Sequence, residues 1–298
     1  MNRSLRFALC LSLALALLFG ACGKMPAPAE GTAAAETETT AAATEPATTE
    51  AIAPSTAPNR ESDPQTSESG IQPPETTLRT KSDPSDVYDA AGFVDLTAVI
   101  PDVILEIRYY STYNFVGERI PGYEEPVALL TREAAEALAS VSDEFREMGY
   151  RLKIFDAYRP QSAVEFFAEW AQDPDDTRMK EYFYPEIDKK TLFPSGFITY
   201  HSGHSRGCTV DLTLFDMKTG KELDMGGPFD YFGQLSHPEY RGITDAQYQN
   251  RMLLRRTMVN HGFRPSRTEW WDFSFLAEPY PNTYFSFPVS LRSLGTGR

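Results

Sequence analysis

The chain has 298 residues, with 42 Asp and Glu against 28 Lys and Arg, a formal net charge of −14 and three cysteines. So acidic a chain lacks the basic surface that a phosphate backbone requires, which argues against nucleic acid as a partner. Three cysteines are too few for a disulfide-stapled scaffold, and no internal repeat is evident.

The first predicted element is an export signal. Arg3 and Arg6 supply a positive start, Phe7 to Phe19 form an apolar run, and Gly20 and Ala21 precede Cys22. The run is too short and poorly flanked for a transmembrane helix. Small residues followed directly by a cysteine resemble the lipobox of bacterial lipoproteins, in which the signal is cut before the cysteine and the cysteine is lipidated. Phe19 departs from the aliphatic residue usual at its position. The resemblance implies a signal peptide at 1–21, a lipid anchor on Cys22 and a mature chain at the extracytoplasmic face of the cell membrane; a plain secretory signal, giving a secreted protein, is the alternative. The stretch 22–85 is almost entirely Ala, Thr, Glu, Pro and Ser. It offers no apolar face at period 2 or 3.6, so nothing offsets the entropy of ordering it, and a disordered linker is expected. A coil of that length spans on the order of 40 Å. With Cys10 removed and Cys22 lipidated, Cys208 is the sole remaining thiol, and no intrachain disulfide is expected.

Residues 86–298 suit one globular domain. Thr131 opens a predicted helix in which Ala134, Leu138, Val141, Phe145 and Met148 recur at helical spacing and Gly149 closes the run. Leu152, Ile154 and Asp156 read as a strand, and Gln161 to Ala171 as a second amphipathic helix. Cys208 to Phe215 alternates as a strand does, with Asp211 and Thr213 on one face and Val210, Leu212 and Leu214 on the other, followed by a Thr219-Gly220 turn. A last helix begins at Thr244, with Gln247 completing a capping box, and ends at Gly262. Strands and helices mix without a βαβ rhythm, so the expected fold is α+β, a single compact domain around a mainly antiparallel sheet flanked by helices.

The segment H-S-G-H-S-R-G-C-T-V-D-L places His204 in a small polar loop and Asp211 on the strand after it. A histidine nitrogen and an aspartate oxygen can meet at one Zn²⁺. Alone this spacing carries little, because a lone histidine is more often a hydrogen-bonded structural residue. Near the C-terminus, T-E-W-W-D-F-S-F sets Glu269 and Asp272 around two tryptophans, and carboxylates in apolar surroundings are costly unless paired, hydrogen-bonded or metal-bound.

Several motifs in order resemble the D-alanyl-D-alanine dipeptidases, the VanX-type zinc peptidases, from about Val94 to Pro288. The family's S-x-H-x-R-G-x-x-x-D is met by Ser202 to Asp211, its D-x-Y-R-P by Asp156 to Pro160 and its M-G-x-x-F-D by Met225 to Asp230. An early tyrosine followed by N-F is met by Tyr109 and Asn114-Phe115, and the ending P-Y-P-N-x-Y-F-x-F-P by Pro279 to Pro288. The resemblance implies zinc held by His204 and Asp211, Glu269 as general base, Arg159 as transition-state stabiliser, and Tyr109, Ser202 and Asp230 shaping a pocket for D-Ala-D-Ala or a peptidoglycan stem peptide. Trp270 and Trp271 are expected as walls and core.

One position departs from the family. Its motif is E-W-W-H, with the histidine as third zinc ligand, whereas this chain has Asp272 there. Carboxylate is a legitimate zinc ligand, but two of them cancel the cation's formal charge, weaken it as a Lewis acid and favour a hard cation such as Mn²⁺. Three readings stay open: Asp272 ligates; metal binding is lost and the domain binds wall peptides without cutting them; or the histidine was replaced deliberately or by error. D,D-carboxypeptidase action on longer stems is a further alternative. On an ideal strand Glu269 and Asp272 would face opposite ways, so one shared metal requires a bulge, twist or turn between them. His201, three residues before His204, is expected to be loop structure, and His237 and His261 lie away from the motif position.

Overall fold

The computed structural model describes residues 89–295, so the expected signal peptide, Cys22 anchor and linker lie outside the described residues. A five-strand path runs β2 (Ile104–Leu105), β4 (Tyr150–Asp156), β5 (Thr209–Asp216), β8 (Asp272–Phe275), β7 (Phe263–Pro265), with β6 (Lys221–Glu222) paired to β5 beyond the path. β2 lies parallel to β4 and every other pairing in this sheet is antiparallel. A small antiparallel pair of β1 (Phe93–Asp95) and β3 (Leu129–Thr131) stands apart. The fold is the α+β arrangement that the alternation of elements predicts.

Helix α1 (Leu96–Val99) is a single turn, and α2 (Arg132–Glu147) packs on β4 through a fully buried stripe of Ala134, Leu138, Val141 and Phe145. Gly149, at φ 91°, ends that helix and lets the chain turn directly into β4. Leu152, Ile154, Val210, Leu212 and Leu214 join the same apolar core. α3 (Gln161–Gln172) follows the Arg159-Pro160 step, α4 (Lys180–Phe183) is one turn, and α5 (Asp245–Asn260) packs on α2 and β7. The Thr244 and Gln247 side chains form the predicted capping box at the start of α5. Asp216 Oδ1 accepts from the amides of Lys218 and Thr219, closing the tight turn from β5 into β6.

Two irregularities prepare the site. The register of β4 on β5 shifts between Ile154 and Asp156, a bulge that leaves Asp156 opposite Asp211. The six residues between β7 and β8, Ser266 to Trp271, form a loop closed by the Ser266 amide donating to the Asp272 carbonyl (2.9 Å). Among the described residues no helix is long and apolar enough to cross a membrane.

Candidate active site

His204 lies in a 3-10 turn, Gly203–Arg206, and its own amide donates to the Ser202 hydroxyl at 3.2 Å, which caps the turn. The turn ends on Gly207 at φ 77°, where a Cβ would strike the Phe93 ring at 2.2 Å, so glycine is required there. His204 Nδ1 is 2.7 Å from the Ala157 carbonyl, which can only accept; that nitrogen therefore carries hydrogen, and Nε2 is the free end of the ring. Nε2 faces Asp211 Oδ1 at 3.4 Å and Asp272 Oδ2 at 3.7 Å.

Asp211 and Asp272 are direct partners across the β5–β8 ladder, so both side chains leave the same face of the sheet. Two carboxylates placed opposite each other repel, and Asp211 Oδ1 is buried without a hydrogen-bond partner. Burial is the largest influence and works against a charge on His204, yet the carboxylates of Asp211 and Asp272 together outweigh it and raise the imidazole to about 10. An orphaned buried carboxylate oxygen, a second carboxylate across the ladder and an outward Nε2 together fit a divalent cation.

Asp156, His204 and Asp211 also offer donor atoms within 4.8 Å of one another. Asp156 is nevertheless the wrong third ligand. Its Oδ1 accepts from the Tyr123 hydroxyl (2.7 Å) and its Oδ2 from Arg159 Nε (2.9 Å), and Oδ2 lies 3.6 Å from Nδ1, the committed side of the ring. Asp156 orients its neighbours, and the residues that gather at Nε2 are Asp211 and Asp272.

A cavity of about 220 Å³ opens over this group, lined by Tyr109, Arg159, Ser202, Asp230, Glu269 and Trp271 among others. It is smaller than the ~300–1,000 Å³ usual for drug-sized ligands. Every catalytic, substrate-binding and metal residue expected from the sequence thus borders one cavity, while Cys22 lies outside the described residues. Glu269 comes from the Ser266–Trp271 loop, whose turn at Trp270-Trp271 brings it to the same side as Asp272. Burial, followed by the charges of Asp272, Asp211 and Asp230, holds its carboxyl well above the ordinary range, with Arg159 opposing. The Arg159 guanidinium stacks 4.8 Å over the Tyr109 ring and reaches Asp211 Oδ2 at 3.5 Å. The Tyr109 hydroxyl donates towards both oxygens of Asp230, at 3.0 and 3.2 Å.

No other histidine substitutes for the motif histidine. His261 Nε2 meets Glu144 Oε2 at 2.7 Å and the His237 ring packs by Phe197; neither lines the cavity. His201 does line it, with its ring 4.6 Å from that of Tyr284, so it belongs to the cavity wall as well as to the loop. The roles of Asp156 and Tyr123 were not visible in the sequence: their contact spans 33 residues, and nothing local marks it.

The sequence profile described as D-ala-D-ala dipeptidase, a peptidase family, matches residues 89–290. The chain belongs to the D-ala-D-ala dipeptidase family. It is similar to the D-alanyl-D-alanine dipeptidase of Enterococcus faecalis, 40% identical over 199 residues, covering 67% of this chain and 98% of that relative. The corresponding proteins of Enterococcus faecium and Streptomyces coelicolor are 39% and 38% identical, each over 98% of the relative's length. The chain is accordingly a hydrolase of a dipeptidase family, and the carboxylates gathered around His204 make a candidate metal site.

Proposed function

We propose that the protein is a lipid-anchored extracytoplasmic dipeptidase that hydrolyses D-Ala-D-Ala or a closely related wall-derived D-peptide. The observation that carries this reading is the convergence of Asp211 and Asp272, partners on one ladder, upon His204 Nε2 in a small cavity that Glu269 also borders. The names of the relatives support the substrate. Anchoring rests on the Arg3 to Cys22 pattern, and the lone free Cys208 of the described residues is compatible with an oxidising compartment. Outside the cell the activity would recover D-alanine or remodel wall peptides.

His204, Asp211 and Asp272 would hold a divalent cation, which would supply polarisation of the scissile carbonyl and acidification of a water. Zinc is the cation that the family resemblance implies; the second carboxylate extends the choice to Mn²⁺. Glu269 takes the attacking water's proton and passes it to the departing amine, a role suited to a carboxyl whose pKa lies above the ordinary range. Arg159, fixed at Nε by Asp156, offers its remaining N–H groups to the carbonyl oxygen as charge develops there. Asp230, held by the Tyr109 hydroxyl, receives the substrate ammonium.

The test is alanine release from D-Ala-D-Ala by the full chain loaded with Zn²⁺ or Mn²⁺, beside a pentapeptide ending in D-Ala-D-Ala. Dipeptide turnover is expected, falling about 10²- to 10⁴-fold in Glu269→Gln while metal content stays near about one equivalent. Absence of turnover with either metal, with recovery in Asp272→His, would sink the catalytic reading in favour of a non-catalytic peptide-binding protein. Preferential pentapeptide cleavage would shift it to a carboxypeptidase.

A further inference from the structure

A second cavity, of about 370 Å³, lies beside the Met225–Asp230 loop, and the catalytic roles above make no use of it. Its volume falls in the ~300–1,000 Å³ range of small-molecule sites. Phe155, Met225 and Phe229 give it apolar walls. Thr213 and Trp270 also line it, 1% and 5% exposed, and their Oγ1 and Nε1 atoms find no hydrogen-bond partner in the protein. Buried polar groups are almost always partnered, so two orphans on one cavity point to something that fills it.

The chemistry of the walls narrows the occupant. Indole N–H donates only, guanidinium donates only, and the Thr213 hydroxyl is free to donate. Arg108 supplies the guanidinium, stacked 4.9 Å over Tyr113 and 5.0 Å over Phe155, with its Nε 2.6 Å from Glu106 Oε1 but lacking hydrogen-bond alignment. Such a site takes an acceptor with an apolar body. The two carboxylates on the lining are already engaged: Asp224 accepts from the Gly226 amide and from Gln247, and Glu222 is bridged by Lys153 at 2.5 Å. Arg108 and Lys153 offset the charges of Glu106 and Glu222, whereas Asp224, whose partners are neutral, keeps its charge and favours an occupant that carries an ammonium beside its carboxylate.

We infer that this cavity is a second ligand site for a small carboxylate of α-amino-acid size, held by Thr213, Trp270 and Arg108. The inference stands on the cavity alone and is independent of the substrate proposed for the first. Both sites share structure: Phe229 stacks on Phe155 in the second cavity, meets Trp271 of the first at 5.3 Å, and precedes Asp230. Filling the second cavity therefore braces the loop that presents Asp230 to the first.

The test follows the indole N–H signals of the metal-loaded full chain, which has three tryptophans. Propionate and D-alanine are titrated separately, with chloride at matched ionic strength as control, and the Trp270 signal is assigned by its loss in Trp270→Phe. A saturable shift of Trp270 is expected, retained in Glu269→Gln and weakened ~2- to 10-fold in Thr213→Val, the worth of one hydrogen bond. Tighter binding of D-alanine than of propionate assigns the site to amino acids; equal binding assigns it to simple carboxylates. If Thr213→Val disturbs folding, Arg108→Gln is expected to weaken the shift instead. A linear drift matched by chloride, a shift confined to Trp271, or one insensitive to both substitutions overturns the proposal.

Discussion

Asp230 is the one non-glycine among the described residues with positive φ, 62°, and it is buried with both oxygens facing the Tyr109 hydroxyl. Asp tolerates this region better than most residues, but the conformation still costs ~1–3 kcal/mol, which the surrounding packing must offset. Burial first, and then the charge of Asp211, push its carboxyl up to about 8. Its folded pKa thus lies above the unfolded value of 3.8, so the folded state binds the extra proton. Stability from this group is complete below the unfolded pKa and declines as pH rises towards about 8. Urea unfolding of metal-free protein should show that decline, and Asp230→Asn, which keeps the backbone conformation, should flatten it; parallel profiles for the two proteins would refute the assignment. Cys208 carries a second residue-scale prediction. Its thiol is buried and raised to about 11 chiefly by that burial. A disulfide reagent at neutral pH should leave it untouched in the native protein and label it on unfolding, whereas rapid native labelling would mean the strand start is open.

At the scale of elements, the turn Gly203–Gly207 couples three parts of the fold. The Gly207 carbonyl accepts from the Thr131 amide at the head of α2, and the His204 carbonyl from the Arg159 amide after β4. Gly207→Ala would force a side chain into the Phe93 ring at positive φ. A loss of ~1–3 kcal/mol in denaturant unfolding is expected, with weaker metal binding, since the turn that carries His204 must shift. An unchanged midpoint would show that Phe93 yields freely. The same elements show what could be read in the chain beforehand. α2, α3 and α5 carried local signals: periodic apolar positions, Gly149 at an end, the Thr244–Gln247 cap. The pairing of Asp211 with Asp272 joins residues 61 positions apart, and the bulge before Asp156 arises from register, so neither leaves a local trace. The candidate site residues were reached through the family motifs; the position of Asp272 beside Asp211 required the ladder.

For the whole molecule, the ladder would give a cation bound there a second task. β8 is fastened to the main sheet through three residue pairs with β5, one of which sets Asp211 against Asp272. β7 reaches the sheet only through β8. A ligand that binds only the folded state stabilises it by about 2.7 kcal/mol at a hundred times its dissociation constant. Chelation should therefore lower the melting temperature, and amide exchange should quicken at Phe273–Phe275 before it does in β4; equal protection with and without chelator would mean that the metal contributes chemistry and no cohesion. A chain that never meets its cation would then open first at its C-terminal hairpin, the part a protease reaches most readily. The lifetime of the protein, as well as its turnover, would follow the local supply of metal.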